Sequence, residues 1–310
     1  MIDDGVPPTV RIQRLLADGS KPPSKGKRKR PKKVRAAKPR NVNAWRIASR
    51  MVLLAALIIG VVHVWPILVG WSKAEWVIDA NGGGDAKTIG EALALARDGA
   101  IIRINPGSYP ESLTIVSPIR LMGAGETSLE VVITSKKGPC LLVTAESGSV
   151  SKLSLVGAGE KGTPCLDLAG GRFNVENTRI TNSAGPAVLV RGMADPIIRG
   201  NRIMGVDGPG LLITEKARGT FTDNTISLTT YPGIIVKGQA APLIASNRIE
   251  NAGQAGILVT GGGRFLDNVI SDSGKSGVEV RGGGDPVFVG NRIESSREAG
   301  VYIHAFCGGD

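Results

Sequence analysis

The sequence predicts an all-β solenoid, a parallel β-helix with coils of about 22–25 residues, on three observations. The first is a recurring tripeptide. Asn201-Arg202-Ile203, Asn247-Arg248-Ile249 and Asn291-Arg292-Ile293 are identical, Asn224-Thr225-Ile226 and Asn268-Val269-Ile270 are variants, and Asn177-Thr178-Arg179-Ile180 carries one extra residue. The isoleucines stand at 180, 203, 226, 249, 270 and 293, so the steps are 23, 23, 23, 21 and 23. The second is a small residue followed by a short apolar segment once per period, as in Gly210-Leu211-Leu212-Ile213 and Gly233-Ile234-Ile235-Val236. The third is a further short apolar segment before each Asn, such as Ile197-Ile198, Leu243-Ile244 and Val287-Phe288. Three short strands and three turns fill one period, β-branched residues favour strands over helices, and the 43 glycines suit the turns. Each strand then pairs with its equivalent one coil away, about 4.8 Å above or below.

The elements follow in order. Residues 1–50 hold 15 Lys/Arg and 3 Asp/Glu, a charge of +12, whereas the rest hold 23 and 24, a charge of −1. The basic charge therefore belongs to a tail. Residues 1–46 are expected to be a disordered cytoplasmic segment, whose run Lys25 to Lys33 sets membrane topology and meets anionic lipid. Nucleic acid enters as a partner only through this tail.

Residues 51–71 carry no charge and are long enough to cross a bilayer, so a transmembrane helix is expected over 47–72. Trp45 on one side and Trp65, Trp71 and Trp76 on the other fit interfacial belts. The rival is a cleaved signal peptide ending near Ser72-Lys73-Ala74, but the basic leader and the apolar core are both long for one. The lysines and arginines place the N-terminus in the cytoplasm and residues 75–310 in the periplasm or outside the cell, on a single-pass inner-membrane protein.

The exported part opens with a strand at Trp76-Val77-Ile78 and a turn at Gly82-Gly83-Gly84, which lacks the Lys-Ser/Thr of a phosphate loop. Thr88 and Glu91 have capping-box spacing, Ile89, Ala92, Leu93 and Ala96 share a helical face, and Gly99 is a stop signal. A short helix here would cover the first coil, which otherwise exposes core and sheet edge.

Asp79-Ala80-Asn81-Gly82-Gly83-Gly84-Asp85-Ala86-Lys87-Thr88-Ile89, then Ile104-Asn105-Pro106-Gly107-Ser108-Tyr109-Pro110-Glu111 and Leu121-Met122-Gly123-Ala124-Gly125, resemble the opening of pectin methylesterases. The later repeats, such as Asp195-Pro196-Ile197-Ile198-Arg199-Gly200-Asn201-Arg202-Ile203, resemble the right-handed parallel β-helix repeat family of the pectin-lyase-like superfamily. The resemblance spans roughly residues 76–310 and implies a right-handed coil. It implies no single activity, because that superfamily holds lyases, hydrolases, esterases, epimerases and non-catalytic scaffolds.

No counterpart of the Asp-Thr-Leu or Asp-Phe-Ile-Phe-Gly segments of pectin methylesterases is present, so no catalytic residue is carried over. The period also argues against carboxylate pairs. Asp195 and Asp285 are four coils apart, about 19 Å, and Asp223 and Asp267 two coils, about 10 Å, at or beyond the separation of a glycosidase pair. No cofactor motif and no His/Cys cluster with metal-ligand spacing occurs in the sequence.

Alternation assigns the remaining columns. In Asn-Arg-Ile the Ile must face inward, so the Asn does too, and Asn201, Asn224, Asn247, Asn268 and Asn291 are expected to form a structural ladder. Arg179, Arg202, Arg248 and Arg292 then face out, either as a grip for an anionic polysaccharide or as a solvated face with weak Arg/Glu pairs. On the next strand Leu189, Leu212, Ile235 and Leu258 face out as an aliphatic stripe roughly 15 Å long, a candidate contact for an envelope protein or a second copy. Cys140 and Cys165 fall at matching points of adjacent coils, where they form either a disulfide or two buried thiols, with Cys307 left over. The expected function is a membrane-held binding or scaffolding module of the cell envelope. A carbohydrate-active enzyme is the alternative.

Overall fold

A computed structural model describes residues 73–304. Within them the chain is a parallel β-solenoid of three sheets. Sheet 1 has ten strands, from Glu75–Ile78 to Asp285–Val289. Sheet 2 runs from Gly107–Tyr109 to Arg292–Glu294 and sheet 3 from Leu113–Ile115 to Val301–Ile303, with nine strands each. Every neighbour in a sheet is a parallel strand from the adjacent coil, and the order around each full coil is sheet 1, sheet 2, sheet 3. The tail expected over 1–46, the helix expected over 47–72 and Cys307 lie outside the described residues. Among the described residues no helix is long and apolar enough to cross a membrane.

The repeat read from the sequence is the structural register. Ile180, Ile203, Ile226, Ile249, Ile270 and Ile293 are successive partners in sheet 2. Sheet 1 stacks Ile198, Phe221, Ile244 and Phe265, all fully buried, and Phe265 stacks on Phe288 with centroids 4.5 Å apart. Sheet 3 contributes two inward columns, including Val188 and Val190, Leu211 and Ile213, and Ile234 and Val236. Stacking like residues every coil gives one continuous core, to which each fully buried Phe or Ile adds about 1.5–3 kcal/mol.

The helix Ile89–Leu95 packs against the first strands of sheets 1 and 3 and buries Ile89 and Ala92. Both halves of the capping box form between Thr88 and Glu91. The Glu111 carboxylate accepts from the backbone N–H groups of Ile89 (2.9 Å) and Gly90 (2.8 Å), so it completes the helix start from beyond the next two strands. The helix ends at Ala96, whose backbone turns extended, and Gly99, at φ +79°, serves the following turn instead. Trp76 is 6% exposed in the first strand, so it is a core residue and not part of an interfacial belt.

Candidate functional site

The corner between sheets 1 and 2 is one tight turn repeated through the stack. The residue before each ladder position has positive φ: Lys152 (56°), Asn177 (49°), Gly200 (67°), Asp223 (56°), Ser246 (55°), Asp267 (52°) and Gly290 (69°). This backbone state suits Gly, Asn and Asp best, so Asp223 and Asp267 stand before the repeat Asn as turn residues. The next residue turns inward. Asn201, Asn224, Asn247 and Asn268 are buried, and each amide hydrogen-bonds the next rung, as in Asn201 Nδ2 to Asn224 Oδ1 (3.0 Å) and Asn224 Nδ2 to Asn247 Oδ1 (2.9 Å). Each Nδ2 also donates to a carbonyl of the coil before, such as Asn224 to Ile198 (2.9 Å). Asn291 is the half-buried last rung. Where the sequence carries the extra residue, Thr178 takes the inward place. Its backbone N–H donates to Asn201 Oδ1 (2.9 Å), and Asn177 becomes the turn residue.

Outside this corner the arginine column divides. Arg248 pairs with Glu250 at 2.7 Å and Arg292 with Glu294 at 2.5 Å, each within its own strand rather than across coils. Arg179 and Arg202 have no side-chain ion-pair partner among the described residues. They are register partners, one coil apart, and both line a concavity of about 410 Å³. Its other walls are Lys152, Asn177, Thr178 and Gly200 from the corner, and Glu126 to Leu129 from the loop before the sheet 2 strand Val131–Ser135. Glu130 is not among the lining residues, and its carboxylate accepts from the Thr127 backbone N–H (2.8 Å) and hydroxyl (3.0 Å), bonds that hold its carboxyl below the usual Glu range. Three basic residues and one acidic residue, Glu126, thus line the concavity, together with Thr127 and Ser128. That arrangement suits the carboxylate and hydroxyls of an acidic sugar.

Sheet 3 carries the second candidate surface. Leu189, Leu212, Ile235 and Leu258 face outward in register and are half-buried, between neighbours that point into the core. An ion pair closes each end of this stripe. At one end Arg191 binds Asp167 through two hydrogen bonds (2.9 and 3.2 Å), and the pairing raises the Arg191 pKa. At the other, Glu279 meets Arg281 (2.5 Å) and His304 Nε2 (2.6 Å), and Tyr302 sets its ring edge-on to His304 with centroids 4.5 Å apart. Burial pushes the Glu279 carboxyl up, but the hydrogen bonds and charges of His304 and Arg281 outweigh it and leave the net shift downward. Sequence reading missed this cluster. The signal was available, because the period aligns Tyr302 with Glu279 and places Arg281 and His304 two residues on.

Cys140 and Cys165 are buried free thiols whose sulfurs approach to 2.7 Å. Burial and the neighbouring Cys140 push the Cys165 thiol well up. Among the described residues no group of three His, Cys, Asp or Glu is placed to hold a metal ion.

Known proteins match this arrangement in fold. The catalytic unit of an α-1,3-glucanase from Streptomyces thermodiastaticus superposes with a TM-score of 0.56 at 19% identity, over 69% of this chain and 46% of that one. This chain therefore spans less than half the glucanase unit's length. An alginate lyase from Paenibacillus sp. superposes at 0.51 and 16% identity, over 75% of this chain and 99% of that one. A pectin methylesterase from Aspergillus niger reaches 0.46 at 15% identity, over 72% and 86% of the two chains. No curated protein matches the sequence. The family model described as a right handed beta helix region matches residues 165–308. That segment belongs to the right-handed β-helix family, and the described chain carries its right-handed parallel β-solenoid fold.

Proposed function

We propose that this chain is a membrane-tethered β-helix that binds an acidic polysaccharide of the cell envelope, with the concavity between Arg179 and Arg202 as its binding site. The observation that carries the reading is the division of the arginine column. Two of its four members are committed to glutamates, and the other two, which have no ion-pair partner among the described residues, line a recess with Lys152. Free guanidinium pairs bind carboxylates in forked geometry, and a recess lets several such contacts act on one sugar unit. The apolar segment 51–71 and the basic tail before it support attachment at the inner membrane, with the solenoid on the far side. A scaffolding role fits the same molecule, since a solenoid holds its outward columns at fixed spacing.

The test is equilibrium binding of the full-length chain, in mild detergent, to oligomers of uronic acid and to neutral oligomers of the same length. Reducing ends and unsaturated products are followed in the same samples. Saturable binding of the acidic series that weakens with salt supports the reading, and equal binding of both series rejects it. The alternative, a carbohydrate-active enzyme, has one observation in its favour. Glu279 holds His304 in place beside Tyr302 and Arg281 on an outward face, a set with acid–base capacity. Product formation abolished by His304→Ala would establish that alternative instead.

A further inference from the structure

The outward column of sheet 3 reads the same in both directions along the solenoid. In coil order it is Asp167, Leu189, Leu212, Ile235, Leu258, Glu279, each the register partner of the next. An acid closes each end and four aliphatic residues fill the middle. The pattern extends one coil further each way, to Leu142 beside Asp167 and Tyr302 beside Glu279. Its centre lies between Leu212 and Ile235. We infer that this face pairs with the same face of a second copy of the chain, related by a two-fold axis that runs along the strands through that centre.

The geometry follows from the operator. Such an axis reverses the coil order but keeps the strand direction, so every outward column faces itself with its coils inverted. Leu212 then lies over Ile235 of the second copy, and Leu189 over Leu258 of the second copy. The four aliphatic side chains of each copy close on one another at the usual sheet-to-sheet spacing of about 10 Å. They are half-buried in the single chain, and the contact removes what water reaches them.

The ends decide between this partner and a general apolar one. Asp167 comes over Glu279 of the second copy, which would repel if the two were bare. Neither is bare. Each acid is nearly buried, at 9% and 7% exposure, under its own arginine, Arg191 or Arg281. Arg281 stands two residues along the strand from Glu279, whereas Arg191 stands two residues along from Leu189, one coil from Asp167, and both lie on the neighbouring outward column. Under the same operator Arg281 of the second copy reaches the margin of Asp167, and Arg191 reaches the margin of Glu279 of the second copy. Each end becomes an alternating set of two carboxylates and two guanidiniums, with His304 at its edge. A partner without an acid and an arginine at each end of the stripe gains the apolar contact alone and leaves the arginines half-paired.

The stripe is five strand spacings long and about three residues wide, roughly 24 by 10 Å. That is small beside the ~800 Å² per partner of a standard interface, so the dimer dissociates in the micromolar range rather than below it. It leaves the Arg179–Arg202 concavity open, because that recess lies at the corner between sheets 1 and 2, the corner sheet 3 does not share. It also covers Glu279 and His304, so it stands with the binding reading and not with chemistry at that pair.

The test uses the full-length chain in detergent, with its protein mass measured by sedimentation over a dilution series. The expected result is a dimer that falls to monomer across the micromolar range. Leu212→Glu combined with Ile235→Glu is expected to be monomeric at every concentration with an unchanged circular dichroism spectrum. A second measurement does not depend on how that variant folds. With Cys307→Ala as background, Leu189→Cys chains mixed with Leu258→Cys chains should form covalent dimers with a short bismaleimide, which spans the sheet-to-sheet spacing that a direct disulfide would not, while Leu189→Cys chains alone should not. A wild-type monomer throughout, association that survives the double glutamate variant, or Leu189→Cys chains that cross-link alone as well as in the mixture would each overturn the proposal.

Discussion

Asn224 shows how much one residue carries in this fold. Its amide donates to the Ile198 carbonyl and to Asn247 Oδ1, and its Oδ1 accepts from the backbone and side-chain nitrogens of Asn201, all within 2.9–3.0 Å. Asn224→Ala would strand the Asn201 N–H out of reach of water and remove the side-chain bond to the Ile198 carbonyl, which keeps its ladder partner. It should cost roughly 3–5 kcal/mol, read as a lower midpoint in chemical denaturation. The inward Asn was legible because alternation ties it to Ile two residues on. The turn residue before it was not, because Lys, Asn, Gly, Asp and Ser all occur there and share only a positive φ. Glu111 teaches the same lesson at the first coil. The sequence marks it within a motif that resembles enzymes, and the structure shows it closing a helix start. Glu111→Ala should destabilise by roughly 1–3 kcal/mol, and Glu111→Gln, which keeps an acceptor, by less.

At the scale of the element, alternation fixes which side chains leave the solenoid but not whom they meet. Arg248 and Arg202 are equivalent in sequence, yet only Arg248 has a glutamate two residues on. At Arg202 that place is Met204, and at Arg179 it is Thr181. The arginines left free are those with no carboxylate at that spacing, a rule readable from sequence once the pairs are known to lie within strands. The Glu279 cluster makes a pH prediction. A carboxyl held below its unfolded value contributes stability that is complete above that value, about 4.3, and is lost as pH falls through the folded value. Thermal stability should therefore drop on acidification below that point, and Glu279→Gln should flatten this part of the profile. An unchanged profile in the variant would show that the cluster does not hold the last coils. The cysteine pair also belongs at this scale. In an oxidising compartment Cys140 and Cys165 should join and close a loop of 25 residues, which contributes about 3 kcal/mol. Denatured protein from that compartment should then titrate one thiol, and three would contradict the assignment.

For the whole molecule, the period made the fold legible from one tripeptide, because each coil repeats the same inward set and the register follows by counting. The function was less legible, since outward residues answer to a ligand and not to the core. The repeat therefore constrains them only in position, and the concavity needed the Glu126 to Leu129 loop, which no periodicity places beside Arg179. The most direct measurement is uronate-oligomer affinity in two paired variants of the full-length chain. Arg179→Ala with Arg202→Ala should weaken binding roughly a hundredfold, at about tenfold for each lost forked contact, while Arg248→Ala with Arg292→Ala should leave it within about threefold. Equal losses in the two variants, or none in the first, would contradict a site at the Arg179–Arg202 concavity.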